Sequence, residues 1–484
     1  MEEPHQNQRA QHDQDTLETV PHEAPENTGH LLKSSRYNIY FKVKGEPKYA
    51  LFNTLSRSIV AVDQDLKDTL EKGDVNALEP PMKESLCSLG ILIPSDLDER
   101  SVFEFRHCTA KYRSEEACFV IFPTYGCNLR CPYCYEGTEK LSTFMDDTTV
   151  ENTVNFIKRA AIENRSRAII LGLYGGEPLL HPDICCSVAA PLSEWAAQNN
   201  MGYYGTLTTN GTLLNEKTAH VLQYVASVHI TVDGTKEMHN KVRVYANGKG
   251  SYQEVMRAVE FMKDKPHHLT IRIHVDMENG TYKGLELLDE LEQMGLKGRS
   301  NLHIYFKQLE PPDVCLRAAL DEDYLQRKER ELNEFPLLWK KAQEKGWGPH
   351  MSVGAGEEHG ILAFNTVSCD HLKKAHYIID PFGDVYLCPM SAGMKHYSIG
   401  TIQKGGVLDY SPVYYTLLTR DPLKLKGCNT CEYLPICSAG CPISIFEETH
   451  SYVTPYCGSL KRLKEAAIKS HLRNTYPDKF GGVI

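Results

Sequence analysis

No uninterrupted apolar run in the 484-residue chain is long enough to cross a bilayer. The N-terminus is polar and acidic and lacks the apolar core of a secretory signal. Positive charge is in deficit: the formal net charge is −10 at pH 7, which argues against nucleic acid as the main partner. These absences predict a cytoplasmic protein with no membrane span and no nucleic-acid partner. What the chain does have is cysteine. It carries 16, and in a reducing compartment so many thiols do not form a disulfide framework. They read instead as metal ligands. The remaining composition is that of an ordinary globular protein, long enough for several cores.

The chain is organised around Cys127-Asn-Leu-Arg-Cys131-Pro-Tyr-Cys134. Three thiols at C-x3-C-x2-C sit in a loop opened by Gly126 and turned by Pro132, directly after the apolar run Ala117 to Pro123. Thiolates are soft ligands for zinc, copper(I) and iron–sulfur clusters. Three of them fill three positions of a cubane and leave one iron open. Zinc sites more often pair one C-x2-C with a second pair of ligands.

Residues 1–36 are polar, without apolar periodicity, and are expected to be a disordered tail. Residues 37–104 read as a small β-then-α module. Its strands are expected at Tyr37–Val43, Tyr49–Leu55 and Ser58–Asp63, its helices at Asp65–Lys72 and Pro81–Leu89. Such a module can capture an extended peptide on a sheet edge, or merely cap the next domain. Residues 112–310 alternate strand and helix. The six strands are expected near Cys118, Ala168, Tyr203, Ser227, Leu269 and Leu302, and three intervening helices at Asp147–Ile162, Pro182–Gln198 and Tyr252–Met262. This implies an α/β fold with a parallel sheet and right-handed crossovers. In such barrels the chemistry sits at the C-terminal strand ends. Residues 311–358 form a bridging segment, with a charged amphipathic helix expected over Asp321–Gly346 and Trp339 and Trp347 near its end. Residues 359–470 hold the second cysteine group.

Gly175-Gly176-Glu177-Pro178 directly follows the second strand. The glycines permit close backbone approach, and the carboxylate is suited to an ammonium group. C-x3-C-x2-C followed by Gly-Gly-Glu-Pro resembles the radical S-adenosylmethionine (SAM) enzymes. Thr208-Thr-Asn-Gly-Thr-Leu-Leu, Ile230-Thr-Val-Asp-Gly and His239-Asn-Lys-Val-Arg243 resemble further segments of that family. The resemblance implies a partial (β/α)6 TIM-like barrel. It implies a SAM-binding [4Fe–4S] cluster on Cys127, Cys131 and Cys134. It places Tyr133, Gly175, Gly176 and Glu177 near SAM, Thr231 near the ribose, Arg243 near the carboxylate and Leu309 near the adenine. Thr231 stands where Ser is commoner but keeps the hydroxyl.

In the C-terminal part, Cys369, Gly383 and Cys388 form C-x13-G-x4-C, followed by Cys428-x2-Cys431-x5-Cys437-x3-Cys441 and then Cys457. This pattern resembles the SPASM extension of radical SAM enzymes, which carries two auxiliary [4Fe–4S] clusters. The resemblance implies one cluster on Cys369, Cys388 and Cys441 and another on Cys428, Cys431, Cys437 and Cys457. The first is one ligand short: its iron is open, or Cys315 or His371 completes it. The other five cysteines, Cys87, Cys108, Cys118, Cys185 and Cys186, read as small buried hydrophobes.

The resemblance implies an oxidoreductase in which cluster and SAM generate a 5′-deoxyadenosyl radical. The N-terminal module resembles the winged-helix-like element that recognises leader peptides. Anaerobic sulfatase maturases of the family carry an Asp base after the Gly-x4-Cys stretch, whereas here Cys388 precedes Pro389-Met390. The expectation is therefore a peptide maturase of the sactipeptide or ranthipeptide kind. It would join Cys to a carbon of another residue through a thioether, acting on a Cys-containing precursor peptide and fed by a flavodoxin- or ferredoxin-type donor. Formylglycine formation, C–C crosslinking and a non-catalytic electron carrier are the alternatives. Reconstituted protein should hold about twelve irons, and about eight once Cys127, Cys131 and Cys134 are all Ala. Iron analysis checks this, and a protein that takes up only zinc would contradict it.

Overall fold

A computed structural model describes residues 31–113, 115–137, 140–275, 284–308, 322–347, 351–353, 367–455 and 457–484, with 352, 353, 458 and 459 as backbone only. Leu309, Cys315 and residues 1–30 of the expected tail lie outside the described residues.

The N-terminal module is built on strands β1 (Leu32–Ser34), β2 (Asn38–Lys42), β3 (Lys48–Asn53), β4 (Ile59–Asp63) and β5 (Leu92–Pro94). β2, β3 and β4 form one antiparallel sheet, and β1 pairs with β5. The tail expected to reach residue 36 thus gives way to a strand at Leu32. Three residues are too few for a period-two signal, so only pairing with a distant partner makes β1 a strand. A helix over Gln64–Lys72 starts where the Asp63 carboxylate accepts the Leu66 N–H at 2.8 Å, and stops at Gly73 with φ 81°. A second helix spans Pro80–Ser88.

β3 is apolar on both faces because it is covered on both. Leu51 packs with Leu70, Val75 and Leu86 of the module. Ala50 and Phe52 pack with Ile468 and Leu472 of the helix Gly458–Thr475 and with Phe480. The chain's last residues also close the β2 side: the Lys44 N–H donates to Gly482 O at 2.7 Å, and the Ile484 N–H to Lys42 O at 3.1 Å. On its outer side β4 has no strand partner among the described residues. A helix over Glu99–Tyr112, absent from the sequence reading, crosses the expected module boundary at 104. Its Phe103 packs with Tyr37, Leu425 and Leu434, tying the N-terminal module to the C-terminal region.

The six expected strands are β6 (Glu116–Ile121), β7 (Ala168–Leu173), β8 (Gly202–Thr209), β9 (Ser227–Val232), β10 (His268–Val275) and β11 (Leu302–Gln308). They lie parallel in chain order. The helices Asp147–Glu163, Pro182–Gln198 and Tyr252–Lys263 fall where periodicity puts them. Along β9, Val228, Ile230 and Val232 join the core shared with the helices. Alternation therefore turns His229 and Thr231 to the opposite face of the sheet. On β10 the same rule turns Arg272 and His274 that way.

The sheet continues beyond the six strands. β12 (Met351–Val353) adds parallel to β11, and β13 (His376–Ile379) adds parallel to β6. From β13 it runs on through the antiparallel strands β14 (Asp384–Tyr386), β15 (Gly400–Gln403) and β16 (Val407–Tyr410). Among the described residues the result is an eleven-stranded, mostly parallel sheet with two ends, consistent with a partial barrel. The bridging helix, Glu322–Glu344, puts Phe335, Leu338 and Ala342 into the barrel core and Leu332 against the C-terminal helix. Among the described residues no helix is long and apolar enough to cross a membrane.

The turn joining β13 to β14 fixes the C-terminal region against the cysteine loop. Gly383, at φ 79°, makes the turn. Asp380 Oδ1 accepts the Phe382 and Asp384 N–H groups, both at 2.9 Å. The Tyr125 hydroxyl, two residues before Cys127, donates to Asp380 Oδ2 at 3.1 Å. Burial pushes this carboxyl up to about 6 against the pull of those donors. The folded value lies above the unfolded one of about 3.9. The stabilisation from the protonated form is therefore full below about pH 4 and lost as pH rises through about 6. Asp380→Asn should remove this slope, seen as a flatter dependence of the urea midpoint on pH between about 4 and 7 than in the parent.

Candidate active site

The cysteine loop leaves β6 and the Gly175-Gly176 turn leaves β7, so the two emerge side by side at the C-terminal edge of the sheet. They touch backbone to backbone. The Gly176 N–H donates to Thr124 O at 3.2 Å and the Glu177 N–H to Gly126 O at 2.8 Å. A Cβ on Gly176 would stand 2.1 Å from Gly126 O, and one on Gly175 2.9 Å from Thr124 O. The close approach these glycines permit is to the cysteine loop itself.

Glu177 has no exposed surface. Its carboxylate accepts the Leu179 N–H at 3.0 Å, the Thr209 hydroxyl at 2.7 Å and the Asn210 N–H at 2.7 Å. Burial pushes its carboxyl up, and these three donors pull the other way. Through these bonds the carboxylate clamps the β7 turn to the end of β8. Asn210, within Thr-Asn-Gly, in turn donates to Asn128 Oδ1 at 2.8 Å and approaches Cys127 Sγ at 3.8 Å.

Arg243, Tyr133 and His274 gather around Asp233. The Tyr133 hydroxyl donates to Asp233 Oδ2 and accepts from Arg243 Nη1 at 2.8 Å. His274 Nδ1 lies 2.8 Å from Asp233 Oδ1. Burial alone would raise the Asp233 carboxyl, but His274 and Arg243 outweigh it and hold it well below the usual carboxylate range. Arg243 is buried, and its Nε has no hydrogen-bond partner among the described residues. Thr231 is buried on β9, on the same face as Asp233 two residues on. Asp233 was visible as the acid in Thr-Val-Asp-Gly, but its partners come from the cysteine loop and β10, which only the fold brings together.

Nine of the ten motif cysteines fall into sets close enough to influence one another's charge. Cys127 feels Cys131, and Cys131 feels Cys134. Cys369 feels Cys441. Cys428 feels Cys437, Cys431 and Cys457. Burial pushes Cys127, Cys369 and Cys428 up to about 11 each. Four thiols also receive backbone N–H groups from nearby residues: Cys127 from Leu129, Cys369 from His371, Cys431 from Tyr433, and Cys437 from Ala439 and Gly440. Ser438 and Ala439, at φ 47° and 60°, bend that last loop around the sulfur. Such donors favour the thiolate a cluster needs. Among the described residues no three His, Cys, Asp or Glu side chains are close enough to share a single ion; a four-iron cube holds its thiolates around a wider body. The donor set, together with the orphaned Arg243 Nε for a carboxylate, fits a cluster with SAM beside it. His371 lies with its ring 6.2 Å from that of His376. Arg420, buried, feels the charge of Cys428, Cys441 and Cys437.

Removing the Asp233 charge should leave the buried Arg243 uncompensated. Asp233→Asn is expected to cost about 3–5 kcal/mol. Because the native carboxyl is depressed, its contribution is present above the ordinary carboxylate range and lost as pH falls below it. The gap in denaturation midpoint between parent and variant should therefore narrow in acid.

Comparison with known proteins agrees with this geometry. Residues 121–291 match the radical SAM superfamily. The cysteine-type anaerobic sulfatase-maturating enzyme of Clostridium novyi is 24% identical over 65% of this chain and 84% of that protein. The mycofactocin maturase MftC of Mycolicibacterium smegmatis is 25% identical over 67% of this chain and 77% of that protein. In three dimensions, native anSMEcpe with bound AdoMet superposes with a TM-score of 0.56 at 19% identity, over 75% of this chain and 98% of that one. SuiB of Streptococcus suis bound to the precursor peptide SuiA gives 0.51 at 16%, over 89% and 99%. Residues 121–291 thus form a radical SAM superfamily domain, in a chain similar to the maturases of that superfamily.

Proposed function

We propose that this enzyme matures a ribosomally made precursor peptide by joining a Cys sulfur to a carbon of another residue. The observation that carries the reading is Pro389 after Cys388, where the resemblance to sulfatase maturases calls for an acidic base. Two further features support it. The N-terminal sheet has an outer strand, β4, without a strand partner among the described residues, an edge on which an extended leader peptide can pair. The likeness to SuiB covers 89% of the chain against 75% for anSMEcpe, so it includes residues outside the anSMEcpe match. A Cys-containing peptide is the proposed substrate and a flavodoxin- or ferredoxin-type protein the proposed electron donor, with the cytoplasm as the proposed compartment.

In this reading Cys127, Cys131 and Cys134 hold the SAM-binding cluster. Cys369, Cys388 and Cys441 hold one auxiliary cluster, and Cys428, Cys431, Cys437 and Cys457 the other. Cluster and SAM, when bound, supply a radical able to take hydrogen from an unactivated C–H bond. The protein's part is placement. Arg243 offers its Nε to the SAM carboxylate, with Tyr133 and Asp233 fixing the guanidinium. Thr231 offers a hydroxyl to the ribose, Gly175 and Gly176 set the loop beside SAM, and Glu177 locks that turn. Leu309, proposed at the adenine, follows directly on β11.

Replacing S–H and C–H by S–C removes two hydrogens. The product peptide should be lighter by that mass for each link and should no longer alkylate at the linked Cys. Formylglycine made from Cys would instead lower the mass by about one water and create an aldehyde that reacts with hydrazides, an outcome favoured by the sulfatase-maturase relatives. Intact-mass and hydrazide assays of the peptide separate the two. Loss of two hydrogens with every thiol still free would move the reading to a C–C crosslink.

A further inference from the structure

Lys140 is a residue that neither motif nor resemblance singles out, yet it is buried beside the cysteine loop. Its side chain is 3% exposed. The ammonium Nζ stands 3.1 Å from Cys134 Sγ and 3.5 Å from Glu136 Oε2, and the Glu136 side chain is itself only 7% exposed. Withdrawing an ammonium and a carboxylate from water costs several kcal/mol for each ion and is tolerated only with good partners. A neutral thiol is a weak acceptor, whereas a metal-bound thiolate accepts a charge-assisted bond. The ammonium is thus placed to meet sulfur in its ligated form.

We propose that Lys140 and Glu136 are an opposed pair of charges that sets the reduction potential of the cluster held by the cysteine loop. Reduction adds negative charge to the cluster. A cation on a ligand sulfur favours the reduced form, and a buried carboxylate nearby disfavours it; hydrogen bonds to the sulfurs and net charge are among the terms that set such potentials. Lys140 therefore raises the potential and Glu136 lowers it. The pair makes the cluster easier for a donor to reduce than Glu136 alone would allow. The proposal rests on Cys134 being a cluster ligand.

The test is a redox titration of the reconstituted full-length enzyme. The cluster to follow is the one whose EPR signal changes when SAM is added. Lys140→Met should shift its midpoint to lower potential, Glu136→Gln should shift it to higher potential, and Lys140→Arg should stay near the parent. A merely structural role does not predict shifts of opposite sign. Unchanged midpoints in both Lys140→Met and Glu136→Gln, with the cluster retained, would overturn the proposal. If Lys140→Met loses the cluster, Glu136→Gln decides alone: a raised midpoint supports the proposal and an unchanged one overturns it. Iron content and the SAM-responsive signal of Cys134→Ala test the premise separately. A fully loaded, SAM-responsive cluster in that variant removes Cys134 from the ligands and the proposal with it.

Discussion

The site depends on one contact: the backbone of Gly175 and Gly176 lying directly on the backbone of Thr124 to Gly126. Two parallel neighbours, β6 and β7, leave the sheet in register, and each continues into a loop that has to cross the same small space. A side chain at Gly176 would meet a carbonyl at 2.1 Å, so the approach is open only to glycine. Two backbone hydrogen bonds then pin the loops together. The buried Glu177 extends the clamp to the end of β8 through three accepted bonds. A loop with three thiols is thereby held on a rigid support, and a cluster requires that of ligands that must share one body.

From this support the electrostatics spread outward. Tyr133 lies within the cysteine loop, Asp233 just past β9, Arg243 at the end of the short helix Lys236–Val242, and His274 on β10. Each would be costly to bury alone, and together they neutralise and orient one another. The price of that arrangement is rigidity, and the gain is a guanidinium whose Nε has no partner among the described residues. Around the sulfurs the same economy appears in smaller form: backbone N–H groups, the Asn210 amide and the Lys140 ammonium all point at thiols.

The N-terminal and C-terminal parts are joined more closely than a string of modules would be. β3 is buried on both faces, one against its own helices and one against the C-terminal helix. β13 adds to the barrel sheet itself, and Asp380 at its end reaches back to Tyr125 in the cysteine loop.

Local pattern by itself determined the six barrel strands, the three long helices between them and the bridging helix, because each is long enough for period two or 3.6 to stand out. It also determined where the cysteines and the Gly-Gly-Glu-Pro turn lie, since spacing is a property of the chain. The short strands β1, β12 and β13 could not be read, for three or four residues carry no period and become strands only when a distant edge offers hydrogen bonds. The bonds of Glu177 to the end of β8 could not be read for a similar reason: they join residues more than thirty positions apart. Asp233 was legible as a residue but not as a centre, because His274, Arg243 and Tyr133 are 41, 10 and 100 positions away. Lys140 gave no signal at all, since a lysine next to an acidic residue reads as surface. Burial beside a thiol is a property that only the folded chain confers.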